Sequence, residues 1–138
     1  MKGSFKLSIF IILFLGIIFS VKSQNYHEKE KEVLRTILRQ SGDRETNFNK
    51  LGLSVSDTLN WYTSEAWLSK LHNVKWNNLR PSRLTEMNWN IYKKSLKEID
   101  FSDFEYLEVL KLIDNNVIPH ISSVIINNNY KLNTLSLS

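Results

Sequence analysis

The sequence predicts an α/β fold, the start of a solenoid of short strands preceded by a helical, Trp-rich capping segment. Three observations predict it. The charged stretch from His27 to Gln40 carries Val33, Leu34, Ile37 and Leu38 on one face at helical spacing. Three of the four tryptophans, Trp61, Trp67 and Trp76, fall in the irregular stretch 43–82. From Arg83 onward an apolar triad recurs: Leu84-x-x-Met87-x-Trp89, Leu107-x-x-Leu110-x-Leu112 and Leu132-x-x-Leu135-x-Leu137, at spacings of 23 and 25 residues.

Residues 1–23 come first and read as a signal peptide. Lys2 and Lys6 make a positive start, Leu7 to Phe19 an apolar run, and Val21-Lys22-Ser23 puts small residues at −3 and −1 of a cut before Gln24. The run of 13 residues is short of the roughly 20 that cross a hydrocarbon core, so no stable membrane span is expected after cleavage. The expected destination is export: periplasm, cell surface or medium.

Cleavage changes the charge balance. Of 18 basic residues, Lys2, Lys6 and Lys22 leave with the leader, so 15 bases face 14 acids and the formal net charge falls from +4 to +1. That near-neutrality argues against nucleic acid as a partner. The chain has no cysteine, which excludes disulfides, thiolate metal sites and cysteine nucleophiles. The 115 residues left suit one folding unit. Within it, 24–82 is read as the N-terminal helix and capping segment, and 83–138 as two repeats and the start of a third.

Local signals refine this order. Gly42 lies just past the first helix, a usual stop. Ser56 or Asp57 is placed to cap a short helical turn towards Trp61. The triad at Leu107 continues to Asn115 and Val117 and so fills the leucine-rich-repeat template, whereas Tyr92 and Lys94 depart from it in the first unit. The competing reading is a small mixed α/β domain with unrelated strands.

A resemblance extends the pattern. Asp57-Thr-Leu-Asn-Trp61-Tyr-Thr-Ser-Glu-Ala-Trp67-Leu-Ser-Lys70, Val74-Lys-Trp76-Asn-Asn78 and Arg83-Leu-Thr-Glu-Met-Asn-Trp89 resemble the segment preceding the repeats of exported bacterial leucine-rich-repeat proteins. More distantly, they resemble the N-terminal cap of plant-type extracellular leucine-rich repeats. Glu28 to Gln40 fits the helix that opens this segment, and the likeness covers about residues 28–117. It implies a curved binding solenoid with a protein or surface-glycan partner and no catalytic residues. The side chains between inward leucines would then line the concave face: Glu86, Asn88 and Asn90, then Val109, Lys111 and Ile113, then Thr134, Ser136 and Ser138.

Signals for catalysis are weak. Gly42 and Gly52 cannot build a phosphate loop or nucleophile elbow, and His27, His72 and His120 are scattered. No metal or cofactor is expected. Asp100, Asp103, Glu105 and Glu108 form the one acidic cluster, and the rival function is a small secreted hydrolase using Asp100 and Asp103. The plainer reading is a solvated loop with Phe101 and Phe104 turned inward. The aromatic group Trp61, Tyr62, Trp67 and Trp76 could stack on sugars, but covering the open end of the strands is the expected role. A third alternative is a truncated remnant of a longer repeat protein. Because Leu132, Leu135 and Leu137 lay down a strand with nothing following to cover it, self-association through the C-terminal edge is expected.

Overall fold

A computed structural model describes residues 25–91, 98–114 and 123–138. The leader, Tyr92, Lys94, Asn115, Val117 and His120 lie outside the described residues.

The amphipathic stretch forms α1, Glu28–Gln40, with Leu34, Ile37 and Leu38 fully buried. Glu28 and Glu30 lie in its first turn and Arg39 in its last, each favourable to the helix dipole. Helix α2, Arg44–Lys50, follows after Ser41 and Gly42. The Asp43 carboxylate accepts the Thr46 N–H at 3.3 Å and caps it. A 3-10 turn, Val55–Thr58, starts from Ser54, whose backbone N–H donates to the Asp57 carboxylate at 2.8 Å. Ser54, rather than the expected Ser56 or Asp57, is therefore the cap, and Asp57 is its partner in a capping box. Helix α3, Ala66–Lys70, buries Trp67 and Leu68.

Four strands make the main sheet in the order β1-β2-β4-β6: Val74–Trp76, Leu84–Ile91, Val109–Asp114 and Thr134–Leu137. Strand β1 runs antiparallel to β2, and the other neighbours are parallel. A separate two-stranded parallel sheet pairs β3, Glu98–Asp100, with β5, Ser123–Ile125. Alternation along β2 is plain: Met87, Trp89 and Ile91 are buried while Asn88 and Asn90 are exposed. One continuous apolar core runs from Leu34 on α1 through Trp61 and Trp67 to Leu110 and Leu112 on β4. Residues of both the helical segment and the strands contribute to this core.

The solenoid expectation is corrected here. Among the described residues the chain is a small mixed α/β domain with three helices and two small sheets, without the stacked units or curvature of a leucine-rich-repeat array. The spacings of 23 and 25 residues align Glu86 with Val109 and Val109 with Thr134 in one parallel sheet. Sheet register, not a repeating unit, explains them. The strands shorten from eight to six to four residues, and an antiparallel strand closes the first edge. A solenoid buries each unit against a like neighbour. Here, among the described residues, three unlike helices and two sheets share one interior. The exported leucine-rich-repeat resemblance and its binding-solenoid function fall with that architecture.

Candidate functional site

Of the nine residues expected to line a concave surface, eight lie on β2, β4 and β6 of the main sheet and Ser138 directly follows β6. Register sets Glu86, Val109 and Thr134 in one row, and Asn88, Lys111 and Ser136 in the next. Asn90 stands beside Ile113, and the Ser138 N–H reaches Leu112 O at 3.4 Å. The face carries a cross-strand ion pair, Lys75 Nζ to Glu86 Oε2 at 2.8 Å. Its remaining groups are a mixture of polar and apolar side chains.

The acidic cluster is not assembled for hydrolysis. Asp103 pairs with Lys29 at 3.2 Å, and Glu105 lies 4.0 Å from Arg83. Asp100 accepts the side chain and backbone N–H of Ser102, which hold its carboxyl below the usual range. A general acid needs the opposite shift. Phe101 and Phe104 are turned inward and fully buried, with ring centroids 5.0 Å apart. The hydrolase alternative is therefore not supported. Among the described residues, no three His, Asp or Glu side chains gather as a metal site.

The tryptophans are interior groups. Trp61 and Trp67 are buried with centroids 6.1 Å apart, and Trp67 Nε1 donates to Trp61 O at 3.2 Å. Trp89 is fully buried, and Trp76 is half-buried against Tyr26. Only Tyr62 of the suggested stacking group is well exposed, and the Arg35 guanidinium lies 4.8 Å from its ring centroid.

A cavity of about 720 Å³ opens beside Tyr62, lined by Lys31, Arg35, Ser64 and Glu65 among others. Its charges are satisfied internally. Lys31 Nζ lies 2.7 Å from both Glu28 and Glu65, and Arg35 bonds Trp61 O, Glu28 and Glu32. Lys31 and Arg35 are nearly inaccessible, so this cluster fastens α1 to the segment before α3 rather than offering free charge. The sequence reading missed it, because a helical pattern places both side chains on the charged face of α1. No local signal marks that face as covered.

The end layer formed by β5, β6 and their connection leaves apolar side chains only partly covered. Leu135 and Leu137 align with the buried Leu110 and Leu112 and share their side of the sheet, yet they are 49% and 38% exposed. Val124, Ile126 and Leu132 pack only partly against the core. The side chain of Asn129 ties this layer inward, donating to Phe101 O at 2.8 Å and Phe104 O at 3.0 Å.

Backbone direction completes the site. Thr134 N–H donates to Glu108 O at 3.1 Å and Ser138 N–H to Leu112 O. The N–H and C=O of Thr134, Ser136 and Ser138 thus face β4. By strand alternation those of Leu135 and Leu137 face away. Strand β6 is last in the sheet, so this outer row has no strand beside it among the described residues.

Comparison of the chain with protein families, curated proteins and solved structures gives no match.

Proposed function

We propose that this domain is a non-catalytic docking module that accepts an extended polypeptide strand along the outer edge of β6. The observation that carries the reading is the coincidence, in Leu135 and Leu137, of exposed core-side leucines and outward backbone groups. An added strand would meet donors and acceptors from the backbone, while its alternate apolar side chains cover the leucines. Edge strands are commonly protected by Lys, Pro or a bulge, and Thr134–Leu137 contains no Lys or Pro.

The setting supports this reading over catalysis, since Asp103 pairs with Lys29 and, among the described residues, the buried Lys31 and Arg35 are paired with carboxylates. Export is part of the proposal and rests on the charge and apolar pattern of residues 1–23. The test is capture of a fluorescent peptide spanning residues 131–138 by the full domain, read by anisotropy. Wild type should bind it, and Leu135→Lys with Leu137→Lys should abolish binding while leaving far-UV circular dichroism unchanged. Equal binding by both proteins overturns the proposal.

A further inference from the structure

The strand-docking reading leaves its occupant open, and the composition of the end layer narrows it. Among residues 123–138, Lys131 is the only charged side chain, although 23% of the whole chain is charged. Its Nζ already sits 4.5 Å from the Tyr106 ring centroid. A strongly charged partner would find no counterpart there. An identical surface brings no dense like charge with it and offers the same open backbone row. We infer that the occupant of the β6 edge is β6 of a second copy, paired antiparallel about a two-fold axis normal to the sheet.

That axis keeps the core side of one sheet continuous with the core side of the other. An axis lying in the sheet plane would instead bring the leucines of one copy to the polar face of its neighbour. The pleat further restricts register, because directly opposed residues must point to the same side. Placing the axis at Ser136 sets Leu135 opposite Leu137 of the second copy, and Leu137 opposite Leu135. Both exposed leucines then meet a leucine. Since their N–H and C=O groups face outward, each of these pairs can exchange two backbone hydrogen bonds. The contact is self-complementary, as a two-fold interface must be.

The same register makes Ser136 its own partner at a pair without mutual hydrogen bonds, where Cα atoms stand about 4.5 Å apart. This is within disulfide reach, about 4.4–6.8 Å. Thr134 would lie opposite Ser138, so two copies of Thr134 would stand about 13 Å apart along the strands. The chain contains no cysteine, so one introduced thiol reports one contact.

This inference rests on the strand-docking reading, and two measurements separate them. Full-length Ser136→Cys and Thr134→Cys proteins, both folded by circular dichroism, are oxidised with glutathione disulfide at equal concentration. Covalent dimer is read on non-reducing gels. The expected result is dimer from Ser136→Cys at least about ten times faster than from Thr134→Cys, a ratio reflecting the about 4.5 Å and 13 Å separations. Equal rates, or no dimer from either, overturn the two-fold pairing. In that case, capture of the 131–138 peptide by wild type and its loss in the doubly Lys-substituted domain would still uphold strand docking with another occupant. Loss of both signals would remove the docking reading as well.

Discussion

Glu30 on α1 accepts the Nε–H of Arg83 at 2.8 Å, and its second carboxylate oxygen accepts the Leu84 N–H at the same distance. The Glu30 side chain is fully buried, so the first turn of α1 is fastened to the start of β2 by charge-assisted bonds across 53 residues of sequence. Removing one partner of such a pair leaves the other stranded in a poor solvent. Glu30→Ala is expected to lower stability by about 3–5 kcal/mol, a large share of the roughly 5–15 kcal/mol typical of a domain. Urea denaturation checks this through a fall in midpoint at constant slope. An unchanged midpoint contradicts it.

The same residue sets a pH dependence. Burial raises the Glu30 carboxyl above its ordinary 4.5, against the opposing Leu84 amide and Arg83. Between that value and the raised one, the folded state holds more protons than the unfolded state. Stability from this group therefore declines as pH rises through the window. Glu30→Gln should flatten that decline. A wild-type profile and a Glu30→Gln profile that run parallel above pH 4.5 would contradict the assignment.

Asp57 has the opposite sign. The Lys70 ammonium at 2.6 Å and the Ser54 N–H at 2.8 Å hold its carboxyl below its ordinary 3.8. Its contribution is complete above 3.8 and is lost as pH falls through the folded-state value. Asp57→Asn should show a shallower loss of urea midpoint on the acid side than wild type. A steeper loss would reverse the sign and refute the capping box as its source.

Trp67→Ala tests the aromatic group as interior packing. Truncating a buried Trp typically costs about 3–5 kcal/mol, and this change also deletes the Nε1 donor to Trp61 O. The expected thermal midpoint is markedly lower. An unchanged midpoint would return the aromatic group to a ligand-stacking role.

Gly52 occupies a left-handed conformation, φ 79°, where the α2 segment turns towards His72. A Cβ there would stand 2.5 Å from Lys70 O and 2.7 Å from the His72 ring. The His72 ring can move aside, but Lys70 O is backbone. Gly52→Ala should therefore destabilise by more than about 1 kcal/mol, measured as a urea midpoint shift. A stabilised variant would show that the chain can relax around the added carbon.

Local chemistry was legible in the sequence where one element determined it. The α1 stripe of Leu34, Ile37 and Leu38 follows from helical periodicity, and the inward turn of Phe101 and Phe104 from reading their acidic neighbours as a solvated loop. The architecture did not follow. Triads at spacings of 23 and 25 residues encode parallel register, and the same spacing arises in a solenoid and in a single small sheet. What separates them is how the helices pack. That depends on distant pairs such as Glu30 with Arg83 and Arg35 with Trp61 O, which no local window contains. At the β6 edge, Leu135 and Leu137 marked a strand expected to lie uncovered, and both leucines are exposed in the structure.

Amide hydrogen exchange at β6, followed across a concentration series, tests the proposed edge docking most directly. The N–H groups of Thr134, Ser136 and Ser138 point to β4 and should be protected at every concentration. Those of Leu135 and Leu137 point outward and should exchange freely in dilute protein, then become protected as a second copy docks. Protection of Leu135 and Leu137 that is already complete at high dilution, or that stays absent at the highest concentration, would contradict the account.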